Sequence, residues 1–594
     1  MEGGTGRRQA WGTHTANRRD GRNARPSGRT PIPRIRPALT SRLATSEELH
    51  LQTITDLAAA CGILPDELEP FGRYRGKIHP SVLDRLASRP DGKLVIVTAV
   101  TPTKAGEGKT TTSVALADGL GRLGKQAMLC LREPSMGPVF GIKGGGTGGG
   151  RAMLEPMEAI NLHFNGDFHA VTAAHNLLAA ALDASIYHGN PLQIDPQSIT
   201  WPRTLDVNDR ELRYTVVGLG GHAHGIPREN QFVITAASEV MAIFALAADL
   251  RDLRARLGRI VVASTVDGRP VTAEDLKVAG AMTVIMKDAL APNLVQTREG
   301  RPALVHAGPF GNIAHANNSI VADRIALKLA DYVVTEAGFG SDLGFQKFCD
   351  IVCRVGRLRP SAAVLVTTVR ATKSHGGRPF AELGIEDLDA IREGMDNLAA
   401  HIAIVRQYGL PCVVAVNRFP TDTPSELALL EELALEAGAE SLAVHSGFIN
   451  GGEGCTDLAD AVVAACDQPN TFAPLTPPGT RVTEQIEAIA TRLYGASGVD
   501  LLPQAVKDLR VVEALGLGTA PVCMAKTHLS LSHDPKLRNR PRGFSLPVRG
   551  LVPSTGAGFV VALCGDMQRM PGFGKTPAFM QVDIDEQGRT VGLF

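Results

Sequence analysis

The sequence predicts an α/β fold, a doubly wound parallel sheet with helices on both faces. Three observations predict it. Short apolar, β-branched runs recur along the chain and end in Gly, Asn, Ser or Thr: KLVIVTAV, QAMLCL, RYTVVGLGG, GRIVVAST, DYVVTEAG, AAVLVTTVRA and PCVVAVNRF. Longer Ala- and Leu-rich stretches with helical spacing separate them. One run leads through a glycine–lysine–threonine loop into such a stretch. Runs apolar throughout, not alternating, are strands buried on both faces, and strands alternating with helices form parallel sheets. Ligands of such sheets gather at the carboxyl ends of the strands.

The loop TPTKAGEGKTTT (Thr101–Thr112) follows Lys93–Val100 and precedes Leu116, Leu120 and Leu123 at helical spacing. Gly108, Lys109 and Thr110 supply the end of a phosphate-loop pattern, although Thr103 stands where its first glycine belongs. A helix N-terminus offers unpaired N–H groups to phosphate, and Gly106 and Gly108 let the backbone approach it. Lys109 then faces the terminal phosphates and Thr110 a magnesium ion that comes with ATP. This predicts a P-loop NTPase-like sheet with Thr103, Ala105, Gly106, Glu107, Gly108, Lys109, Thr110 and Thr111 around the nucleotide. A plain glycine-rich turn with a surface lysine is the alternative.

Composition narrows the function classes. The chain has 594 residues, long enough for several domains. Its formal net charge is zero, but residues 1–40 hold nine arginines against Glu2 and Asp20, a net of +7, which leaves the rest near −7. The body therefore has no electrostatic footprint for nucleic acid. The longest apolar segment, Gln231–Asp249, carries Glu239 inside it and reads as a buried helix, not a membrane span. Nine cysteines without framework spacing indicate a reducing, cytoplasmic compartment; Cys349 and Cys353 read as buried thiols on one helix face.

Four parts are expected: a disordered basic extension (1–40), a nucleotide-binding α/β domain (41–330), a second α/β domain (331–468), and a small C-terminal α+β domain (469–594) after the Pro-rich stretch QPNTFAPLTPPGT. The extension is too poor in apolar residues to offset its ordering entropy. Removing residues 1–40 is therefore expected to leave activity and the thermal midpoint unchanged, as a truncated chain assayed beside the full one would show.

Further candidates sit on the loops after the runs. Arg132 opens REPSMGPVFGIKGGGTGGG, and its guanidinium fork suits a carboxylate or phosphate. Gly144, Gly145 and Gly146 begin a run of six glycines in seven residues that can close around an oxyanion, or serve as a flexible surface loop. His163, Asp167 and His169 lie together in NLHFNGDFHA. His222 and His224 form a pair in GGHAHG, too few ligands to specify a metal.

With these stretches go ITWPRTLDVNDRELR, DALAPNLVQT, GPFGNIAHANNS, DYVVTEAGFGSDLGFQKF, VNRFPTDT, CMAKTHLSLSHDP and GAGFVVALCGDM, in order from about residue 50 to the end. Together they resemble the formate–tetrahydrofolate ligase family. The resemblance implies ATP-dependent joining of formate to tetrahydrofolate through formyl phosphate. It implies that Arg132 holds this intermediate, with Glu133, Gly144–Gly146 and Phe339 beside it, and that Asp167 lies near the reacting amine. Phe419 and Phe448 would stack the folate, Phe448 standing where the family usually has tryptophan. A homotetramer and a monovalent-cation requirement (potassium or ammonium) are also implied. Two other readings are a catalytically impaired homologue that only binds folate or nucleotide, and, from Lys104, a dimeric positioning ATPase of the ParA/MinD type.

Overall fold

Residues Lys93–Ala99 form a strand whose successive side chains enter two different cores. Leu94 and Ile96 belong to one hydrophobic cluster, Val95 and Val97 to another. That alternation is the period-2 geometry of a strand covered on both faces. The computed structural model describes residues 51–104, 106–141 and 146–593, all within a unit running from Ser46 to Phe594. The basic extension 1–40, Ala105, Gly144 and Gly145 lie outside the described residues.

Among the described residues, twelve strands make the central sheet: β1 (Leu68–Pro70), β2 (Gly76–Ile78), β3 (Lys93–Ala99), β4 (Ala127–Leu131), β5 (Gly148–Gly149), β6 (Ala152–Glu155), β7 (Asn293–Thr297), β8 (Pro302–Val305), β9 (Tyr332–Glu336), β10 (Pro360–Thr367), β11 (Cys412–Asn417) and β12 (Ser441–His445). The order β8-β4-β9-β3-β10-β11-β12 is parallel throughout. β1, β2, β5, β6 and β7 extend it with antiparallel pairings. The chain is thus mixed α/β around a large, mainly parallel sheet. β1–β8 come from 41–330 and β9–β12 from 331–468, and both stretches share this sheet.

Helix α1 (Lys109–Arg122) and the helix Thr456–Cys466 cover one face. Ile320–Leu329 and Leu388–Gln407 cover the other. The apolar segment around Glu239 is a buried helix, Glu239–Leu246, and the Glu239 carboxylate accepts the Gly556 N–H at 2.8 Å. Among the described residues no helix is long and apolar enough to cross a membrane. Cys349 and Cys353 are buried, and no group of three metal-ligating side chains occurs among the described residues. Beyond Val482, two helices accompany the strands Val522–Ala525, Gly550–Ser554 and Phe559–Leu563, which pair as a separate sheet.

Two of the apolar runs do not join the central sheet. Thr215–Val217 pairs antiparallel with Arg228–Asn230, and Val261–Ser264 with Pro270–Thr272. Each run is followed by turn residues, GLGG in the first and Asp267–Gly268 in the second, and folds back as a hairpin instead of crossing over a helix.

Asp118 on α1 is buried, and Thr297 Oγ1 donates to its Oδ1 at 2.5 Å. Burial, with Glu299 nearby, pushes its carboxyl up to about 7, against that hydrogen bond. The folded state therefore holds this proton more tightly than the unfolded state. The resulting stabilisation is complete below the ordinary carboxylate value and is lost as pH rises through about 7. Asp118→Asn is expected to raise the thermal midpoint at pH 8, the difference shrinking towards zero at pH 4. Each tenfold weakening of the acid corresponds to about 1.4 kcal/mol, which sets the upper bound on the gain. Melting curves across this pH range test it.

Candidate active site

Every parallel strand of the sheet delivers its carboxyl end to the same edge, and the phosphate-type loop, Arg132, Phe339, Phe419 and Phe448 follow those ends. After β3, Thr103 N and Oγ1 both donate to Glu107 Oε1, at 2.8 and 3.0 Å, which closes the loop on itself. Burial raises the Glu107 carboxyl above its ordinary value despite these bonds. Gly108, at φ 79°, turns the chain into α1. A Cβ there would come within 2.5 Å of Asn417 Nδ2, and that amide donates to Glu107 O at 3.2 Å. Thr110 and Thr111 are half-buried in the first turn, whereas Thr112 turns inward to His445 Nε2 at 3.1 Å.

Lys109 follows β3 and Arg132 follows β4. The structure places β9 between β3 and β4, because β9 pairs with both. The turn after β9 meets both cations. Lys109 Nζ donates to Phe339 O at 2.8 Å, and a Cβ on Gly338 would lie 2.9 Å from Arg132 Nη2. Arg132 Nη1 also donates to Pro309 O at 3.1 Å. Burial lowers the Arg132 pKa, and Glu336 opposes the shift. Phe339 has φ 60°, an uncommon backbone for a bulky residue. Its ring stacks on His528 at 4.8 Å. The same turn is braced further on, where Lys526 Nζ meets Asp342 Oδ2 at 2.5 Å and donates to Ser530 O at 2.6 Å.

Asp167 is the first residue of α2 (Asp167–Tyr187), not part of a loop cluster. It is 1% exposed. Lys77 Nζ meets its Oδ1 at 2.7 Å, and Asn293 Nδ2 donates to its Oδ2 at 2.7 Å. His306 Nε2 lies 3.9 Å away; burial lowers His306 to about 4, so the ring is neutral. His163, in the turn before α2, and His169 are exposed and stand apart from this pair; His169 is two residues on from Asp167, and residues two apart on a helix do not share a face. Glu133 is buried with Oε2 unpartnered. Burial, with Asp167 and Asp206 nearby, holds its carboxyl well above the usual range, Lys77 opposing. Gly146 N donates to Asn161 Oδ1 at 2.8 Å, which ties the first part of the glycine run to the helix Met157–Asn161.

Phe419 and Phe448 follow the adjacent strands β11 and β12. The Arg370 guanidinium lies 4.2 Å from the Phe419 ring centroid. Phe448 is 54% exposed and its backbone carbonyl accepts the Arg151 N–H at 2.9 Å. A Cβ on Gly150 would come within 2.0 Å of that carbonyl, so only glycine allows this approach. Gly149 lies between the Phe448 ring and Thr111 Oγ1, its Cβ position 3.2 and 3.4 Å from them.

A loop at a helix N-terminus, an arginine and an ion-paired carboxylate thus occupy one edge of a parallel sheet: the layout of an α/β enzyme that handles an anion. Comparison with known proteins is consistent across the chain. The family model described as formate–tetrahydrofolate ligase matches residues 40–594. A formate–tetrahydrofolate ligase of Desulforamulus reducens is 54% identical over 562 residues, covering 93% of this chain and 99% of that protein. Those of a Roseiflexus species (52% over 563 residues; 93% and 100%) and of Saccharopolyspora erythraea (53% over 561 residues; 93% and 99%) are similar. The chain belongs to the formate–tetrahydrofolate ligase family.

Proposed function

We propose that the chain ligates formate to the 10-nitrogen of tetrahydrofolate with cleavage of ATP to ADP and phosphate, through formyl phosphate. One observation carries the reading at the level of the site: Lys109 and Arg132 converge on the Gly338–Phe339 turn from two strands. A P-loop type of doubly wound sheet suits this, the stretch 41–330 supplying the phosphate machinery and 331–468 the folate side. Formate is ionised at neutral pH and needs no base to attack the γ-phosphoryl group. It needs in-line placement and neutralised charge.

Lys109 neutralises the transferring phosphoryl group and Arg132 grips formate, then formyl phosphate. Glu133, Gly144–Gly146 and Phe339 complete that pocket. The backbone from Thr103 to Thr111, Ala105 included, cradles the nucleotide, whose magnesium adds positive charge; the Thr110 hydroxyl is the group that would reach it. The amine of tetrahydrofolate then attacks the formyl carbon, phosphate leaves, and Asp167 takes up the amine proton. The homotetramer, the monovalent cation and the cytoplasmic setting belong to the same reading.

A coupled assay for ADP release that depends on both formate and tetrahydrofolate, with 10-formyltetrahydrofolate detected directly, tests it. ADP release without formate would sink the ligase reading, and binding without turnover would leave the impaired homologue. Phe448→Ala is expected to raise the apparent KM for tetrahydrofolate several-fold, the loss of about 1 kcal/mol of stacking. The KM for ATP should barely change. An equal change in both would make Phe448 a prop for Thr111 and not a folate platform.

A further inference from the structure

We infer that the far end of α2 carries a second anion site, for a phosphate or carboxylate borne on a small apolar or aromatic body. A cavity of about 170 Å³ opens there, between the last turns of α2 and the hairpin Thr215–Val217/Arg228–Asn230. On it, Arg203 Nη2 and Arg228 Nη2 bind different oxygens of Asp183, at 2.6 and 2.7 Å. Two guanidiniums on one carboxylate leave a positive charge over. The Arg203 and Arg228 side chains keep 27% and 15% of their surface open, and a surplus charge so sheltered is costly unless an anion joins it.

His222 and His224 line the same cavity and are exposed. Each imidazole brings an N–H donor even when neutral. Two arginines facing them repel a metal ion and attract an anion, which settles the chemistry the histidine pair can serve. Tyr187 supplies an aromatic wall, its ring 6.1 Å from that of His222, and Ile226 an apolar one. A forked guanidinium pair with an aromatic flank fits an anionic head on a short hydrophobic body. The 21 residues of α2 separate this cavity from Asp167 by roughly 30 Å, so it is distinct from the candidate active site.

Calorimetric titration of the full chain with phenyl phosphate, with ADP and magnesium present to fill the nucleotide loop, tests the site. Benzoate as a second titrant tells a phosphate from a carboxylate site; heat from either one supports the inference. The wild type is expected to bind one equivalent. His222→Asn/His224→Asn, an exposed change with an unaltered melting curve, should bind about tenfold more weakly through lost hydrogen bonds. Arg203→Gln should abolish binding; should it fail to fold, the histidine variant decides. Equal affinity in wild type and histidine variant, binding that ADP displaces, or no heat with either titrant overturns the inference.

Discussion

Arg132→Ala is expected to lower both overall ligation and the folate-free reverse half-reaction, in which carbamoyl or formyl phosphate phosphorylates ADP, by about 10² to 10³, the usual loss for a transition-state charge contact. Lys109→Ala should match it. The two cations approach one turn, Lys109 through Phe339 O and Arg132 beside Gly338. On the proposed mechanism each meets the phosphoryl group from its own side, so neither substitutes for the other. Both half-reactions share that step, so both must fall together. Rates of ligation and of ATP formation, measured on the same preparations, check this. Near-wild-type ATP formation by Arg132→Ala would remove Arg132 from the phosphoryl step.

The second large effect lies at Asp167, where stability and chemistry must be separated. Its carboxylate and the Lys77 ammonium are both buried and 2.7 Å apart. Removing one partner of such a pair strands the other charge and costs about 3–5 kcal/mol. Lys77→Ala is therefore expected to lower unfolding stability by that amount, and Lys77→Met/Asp167→Leu to recover most of it, since a well-packed apolar pair can replace a buried ion pair. Neither should ligate. Asp167→Asn keeps the shape and one acceptor for Lys77 but gives up the bond from Asn293 and leaves the Lys77 charge unpaired, so its stability is measured beside that of Lys77→Ala. It should lose ligation while keeping much of the phosphoryl half-reaction, because its part belongs to the amine step. Denaturant titration and the two rate assays check the pair. A folded Asp167→Asn that loses both halves equally would contradict the assignment.

Much of this site was legible in the sequence, for physical reasons. The stretch from Lys93 to Thr112 is strand, loop and helix start in one continuous piece, so local pattern suffices. Arg132, Phe339, Phe419 and Phe448 each follow a strand directly, and parallel order carries them to one edge. Lys77 and Asn293 were not legible. They reach Asp167 from separate, short, antiparallel strands, and no spacing in the sequence ties positions 77, 167 and 293 together. The place of β9 between β3 and β4 was not legible, because strand order in a parallel sheet is set by crossovers, which periodicity does not record. The hairpins at 215–230 and 261–272 were misassigned because a short β-branched run reads alike in either kind of sheet, and only the turn after it decides.

On the proposed function, the folate side has a geometric limit. The Arg370 guanidinium lies 4.2 Å from the Phe419 ring centroid and so occupies one side of that ring. A flat heterocycle stacking on Phe419 is left the opposite side, and stacking alone accepts it with either of its own faces down. Which epimer at the carbon joining pterin to side chain delivers its amine is therefore decided by directional hydrogen bonds around the pterin rim, not by the ring beneath it.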